Sequence, residues 1–113
     1  MTEKEKWELV ETFFQENFTD GETPTIETML FLIGVQELGK GKATYKKDDK
    51  LNLIHIAVCK LLQPFGYYAF SGFDEDNWPK YEILESLPNL QSNEQTLLMK
   101  KAIIHYFESE QLI

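Results

Sequence analysis

The sequence predicts a mainly α fold: a four-helix domain with one β-hairpin between the third and fourth helices. Three observations carry that prediction. Apolar residues recur at helical spacing in four separate stretches. Residues that start or stop helices punctuate those stretches: Thr2, Gly21, Pro24, Gly39, Pro64, Gly66 and Ser92. Between the third and fourth stretches, at about 66–85, the pattern changes to aromatic, strand-like runs around an acidic turn. The length of 113 residues fits a single helical domain over 1–113, with enough chain to bury a core without staples.

The first helix is expected over about 3–18. Thr2-Glu3-Lys4-Glu5 fits a capping box, in which the threonine and the glutamate satisfy each other's orphan amides. Trp7, Val10, Phe14 and Phe18 then share one face, with Phe13 beside them and Glu8, Glu11 and Gln15 opposite. Thr19-Asp20-Gly21 stops the run. Thr23-Pro24 reads as an N-cap followed by a first-turn proline. The second helix carries Ile26, Met29, Leu30, Phe31, Leu32, Ile33, Val35 and Leu38, which leave it no clean outer face. Such a helix is either central or covered by another chain, so a homodimer is expected. Gly39 is read as its end.

A polar, lysine-rich loop over 40–47 follows. The third helix is expected over about 48–63, with Leu51, Ile54, Val58 and Leu61 as its main stripe and Leu53, Ile56, Ala57 and Leu62 widening it. Asp48 and Asp49 suit its positive N-terminal end, and Pro64 and Gly66 close it. Tyr67 to Phe73 and Trp78 to Glu85 read as the two strands, joined through Asp74-Glu75-Asp76-Asn77. A connector over 86–91 contains Pro88. Ser92-Asn93-Glu94-Gln95 reads as a second capping box, ahead of a last helix with Leu98, Met99, Ala102, Ile103, Tyr106 and Phe107.

Composition excludes several classes. The net charge is −8, and all 11 basic residues are lysine, so the planar fork that grips phosphate or the guanine edge is missing. Three helices and a hairpin invite comparison with a winged helix, but the presumed wing carries Asp74, Glu75 and Asp76, and phosphate repulsion opposes nucleic-acid binding. The most apolar stretch, around Met29 to Val35, is too short for a membrane span, and the charged start lacks the core of a signal peptide. Cys59 is the only cysteine, which points to a cytoplasmic protein without disulfides.

Several patterns approach known chemistry and fall short. Gly34 to Gly41 nearly matches a phosphate-binding loop, but Gly41 stands where the magnesium-binding hydroxyl belongs, and the segment closes a helix instead of opening one. His55 and Cys59 sit four apart, and His105 could join them on a metal; the set is short of ligands, so no metal or cofactor is assigned. The same pair as a Cys–His nucleophile lacks an orienting acid. The 74–79 segment fails the calcium-loop pattern, with Trp78 and Pro79 at positions that need an oxygen ligand and a glycine. No catalytic residue is assigned.

Phe31 to Gly39, His55 to Cys59, Gly66-Tyr67-Tyr68 and Asp74 to Pro79 together resemble a group of small uncharacterised bacterial proteins of the Bacteroidetes type, over about residues 25–107. The resemblance implies no activity, cofactor or catalytic residue.

The functional expectation is therefore a cytosolic protein-binding or scaffold module. Phe73, Trp78 and Tyr81 at the hairpin are its expected contact residues, since tryptophan and tyrosine at a turn suit a hot spot. The rival is a small enzyme or ligand-binding protein with a pocket holding Glu37, His55 and the hairpin aromatics.

Overall fold

The computed structural model describes residues 1–40, 46–86 and 91–113. The chain forms helices α1 (Glu3–Asn17), α2 (Ile26–Lys40) and α3 (Lys50–Leu62), strands β1 (Tyr68–Phe73) and β2 (Pro79–Ile83), and helix α4 (Ser92–Ser109). The two strands pair antiparallel, so the fold is mainly α, with a hairpin between the third and fourth helices as the periodicity predicts. Residues 41–45 of the lysine-rich loop and 87–90 of the connector lie outside the described residues. Among the described residues, no helix is long and apolar enough to cross a membrane. Internal contacts group the chain into two compact units: Met1–Thr25 with Pro88–Ile113, and Ile26–Leu87.

In the first unit α1 packs on α4. The Thr2 hydroxyl accepts from the Glu5 N–H (3.2 Å) while the Glu5 carboxylate accepts from the Thr2 N–H (3.3 Å), which closes the predicted capping box. At the other end the Phe14 carbonyl accepts from both Phe18 and Thr19. Asp20 and Gly21 then take φ of +50° and +86°, a turn that reverses the chain out of the helix. Val10 and Phe14 from α1, and Ala102, Ile103, Tyr106 and Phe107 from α4, are buried. Phe107 is the hub: Phe13 meets it edge-on at 5.1 Å and Phe14 lies 5.5 Å away. Burying rings of this size is worth ~1.5–3 kcal/mol each. The Lys6–Glu108 pair (3.1 Å) is exposed and adds little. The N-terminus of α4 corrects the reading by one residue: Gln91, not Ser92, is the cap, and its N–H donates to the Glu94 carboxylate (3.4 Å).

In the second unit α2 lies along α3, and the hairpin packs on α3. Helix α2 starts at Ile26, so Thr23-Pro24 is not its cap; the Thr23 hydroxyl accepts from Gln15 (3.2 Å) and Pro24 is buried outside the helix. Gly39 does not end α2, which runs on to Lys40; only Gly21, Gly66 and Gly72 among the described glycines adopt positive φ. The two helices approach most closely at Gly34, where an added Cβ would fall onto the Leu53 carbonyl oxygen. That close crossing rotates α3 from the stripe expected. Leu53, Ile56, Ala57, Leu61 and Leu62 form the buried face, and Leu51 is 78% exposed. The Lys46 N–H donates to the Asp49 carboxylate (2.8 Å) in a single 3-10 turn, Lys47–Asp49, that leads into α3. The far end closes through Gln63–Phe65 and Gly66 at φ +87°.

Candidate functional site

The hairpin is held at its tip by one side chain. The Asp74 carboxylate accepts from the N–H groups of Asp76 (2.8 Å) and Trp78 (3.0 Å). The backbone reinforces it: the Asp74 N–H donates to the Trp78 carbonyl (2.9 Å), and the Asn77 N–H to the Asp74 carbonyl (3.0 Å). Asn77 takes φ +66°, a conformation asparagine tolerates better than most residues. The acidic tip is thus built around a structural aspartate.

The strands then set which aromatics meet. Tyr68 pairs with Ile83, Phe70 with Tyr81, Gly72 with Lys80 and Phe73 with Pro79. Paired residues share a face, and successive pairs alternate. Strict alternation would put Phe70 and Phe73 on opposite faces. A bulge between Phe70 and Gly72 inserts one extra residue and brings Phe73 round to the Phe70 side, with Gly72 at φ +108°. The Phe70 ring consequently lies 5.2 Å from Phe73 and 5.7 Å from Tyr81. Phe73 is 56% exposed and Phe70 41%. Farther along, Ile83 and Leu84 are 68% and 58% exposed.

Two open recesses flank the hairpin. One, of about 390 Å³, is lined by Glu37, Lys60, Phe70, Phe73 and Tyr81. The Lys60 ammonium stands 3.9 Å from the Glu37 carboxylate, which joins α2 to α3 along its floor. The other, of about 630 Å³, is lined by Asp49, Asn52, His55, Asp76 and Trp78. Pro79 borders both. The five residues singled out from the sequence therefore divide: Phe73, Tyr81 and Glu37 come together in one recess, His55 and Trp78 in the other. Trp78 is half-buried. The sequence reading passed over Phe70 and Lys60. The signal for Phe70 was Gly72, since glycine inside a strand marks a bulge.

His55 is exposed on α3, with its Nε2 3.5 Å from the Cys59 Sγ and its ring edge-on to Tyr68 at 6.5 Å. Cys59 itself is wholly buried, and that burial pushes its thiol up to about 11. A nucleophilic cysteine needs the opposite shift. His105 belongs to the helical pair, where it lies 3.4 Å from the Ser109 hydroxyl. No group of three or more His, Cys, Asp or Glu is gathered for a metal ion among the described residues.

No family model, curated protein or solved structure matches the chain.

Proposed function

We propose that the protein is a cytosolic binding module that works through protein contacts, with the aromatic rim of the hairpin as its contact surface. One observation carries this: Phe70, Phe73 and Tyr81 cluster on one face while Phe73 stays 56% exposed. Contiguous exposed apolar surface is uncommon on a monomeric protein and marks interaction sites. The bulge re-aims Phe73 to complete the rim, a use of bulges that recurs beside functional sites. The rival reading has less support. Glu37 and His55 line separate recesses, and the cysteine beside His55 is held as a neutral thiol.

The test is capture from native-cell extract by immobilised wild type and by Phe73→Ala. The side chain is more than half exposed, so the variant is expected to melt within about 2 °C of wild type, as surface changes usually do. It is also expected to lose at least tenfold in captured partner. Equal capture by the two proteins would overturn the assignment of the rim.

A further inference from the structure

The two recesses that meet at Pro79 differ in chemistry. In the smaller, the aromatic rings share the lining with one carboxylate and one ammonium, Glu37 and Lys60, 3.9 Å apart. Those charges offset each other, so the recess offers an incoming side chain mainly apolar surface. In the larger, the carboxylates of Asp49, Asp74 and Asp76 are set against Lys46 and His55, and Trp78 forms part of the wall. Carboxylates beside an indole suit a cation. Tryptophan is the ring that attracts a cation most strongly, and an ionised donor and acceptor make the stronger kind of hydrogen bond.

The three carboxylates are not equivalent. Asp74 holds the hairpin tip, and Asp49 accepts from the Lys46 N–H (2.8 Å), so both are engaged in the fold. Asp76 gives the tip only its backbone N–H. Its side chain is exposed and enters no hydrogen bond or ion pair among the described residues. Asp76 is therefore the acid that a partner can engage without loosening the hairpin.

We propose that the partner is a protein segment that joins an apolar residue to a basic one. The apolar side chain seats on the rim at Phe70 and Phe73, a lysine or arginine enters the larger recess, and the segment crosses Pro79 between them. The inference rests on the reading of the rim as the contact surface, and it supplies the partner's chemistry. Charge complementarity selects a basic segment over an acidic one. From Tyr68 to Glu85 the chain carries Asp74, Glu75, Asp76, Glu82 and Glu85 against the single Lys80. A patch of one sign steers opposite charge toward it and turns like charge away. The contacts are made by side chains, so the N–H that Pro79 lacks is not needed.

Selection from a phage library of random linear peptides on the immobilised full chain tests this. Recovered peptides are expected to be enriched in lysine or arginine close to a large apolar residue. One of them, made synthetically, is then titrated by fluorescence anisotropy against wild type, Asp76→Lys and Glu75→Lys, with fold checked by circular dichroism. The two variants change the net charge equally, but Glu75 is not among the lining residues of either recess. Asp76→Lys is expected to weaken binding at least tenfold, and Glu75→Lys less than threefold. Recovery of no binding peptide, a pool without excess basic residues, or equal losses in the two variants would overturn the proposal. Phe73→Ala keeps the two readings apart. A neutral peptide that depends on Phe73 would keep the rim and overturn the cation site. A basic peptide that depends on Asp76 and ignores Phe73 would keep the cation site and overturn the rim.

Discussion

At the scale of single residues, Cys59 shows how burial decides chemistry. Its position four residues from His55 suggests a reactive pair, and the distance of 3.5 Å allows contact. Desolvation overrides that suggestion by raising the thiol from 9.0 to about 11. The consequence for stability has a definite sign. Between about pH 9 and 11 the unfolded chain releases the thiol proton while the native chain keeps it. The unfolded state then binds fewer protons, so stability falls as pH rises through that window. Two pKa units correspond to ~2–3 kcal/mol. Urea unfolding of wild type and Cys59→Ala, each from pH 8 to 11, is expected to show a steeper loss in wild type. Parallel slopes would contradict the buried, protonated thiol.

At the scale of elements, the crossing of α2 and α3 turns on Gly34. Besides the clash with the Leu53 carbonyl oxygen, an added Cβ there would stand 2.7 Å from the Leu53 carbonyl carbon. Backbone cannot swing aside, so Gly34→Ala must push the helices apart. The ~1 kcal/mol that alanine gains in helix propensity is outweighed, and a net loss of ~1–3 kcal/mol is expected, the usual cost of overpacking. Gly39 provides the control. It lies on the same helix, is exposed, and has nothing within 4 Å of an added Cβ. Near the end of α2, Gly39→Ala is expected to stabilise by ~0.5 kcal/mol. Denaturant midpoints should therefore move in opposite directions for the two variants. A shift of the same sign in both would remove Gly34 as the contact that sets the crossing. The same crossing explains why the stripe on α3 was misplaced. Leu51, Ile54, Val58 and Leu61 have helical spacing as good as that of Leu53, Ile56, Ala57 and Leu61. Periodicity finds an apolar face without saying which of two overlapping faces has a neighbour.

At the scale of the whole molecule, charge governs which partners approach. The chain carries 19 acidic and 11 basic residues with no arginine, and the exposed hairpin tip holds Asp74, Glu75 and Asp76. Duplex DNA presents about one negative charge per 1.7 Å of axis, so a net charge of −8 opposes its approach. Gel-shift assays at about 50 mM salt are expected to show no sequence-dependent retention of duplex. Retention of one sequence over a scrambled control would contradict this reading.

Local information determined much of the architecture. Four helices, the hairpin and its position are set by hydrophobic period, capping residues and turn chemistry, all of which act over a few neighbouring residues. The Thr2–Glu5 box and the Asp20-Gly21 reversal form as the sequence predicts for that reason. The Gln91 cap, the start of α2 at Ile26 and the run of α2 through Gly39 shifted at boundaries, where neighbouring residues compete for the same orphan groups. Tertiary structure decided what depends on long-range pairing. It placed Gly34 against Leu53 and so chose the buried face of α3. It split Glu37 from His55, though both read as candidates for one pocket. It inserted the bulge that carries Phe73 to the side of Phe70, because the register of two strands is a property of the pair and neither strand specifies it alone.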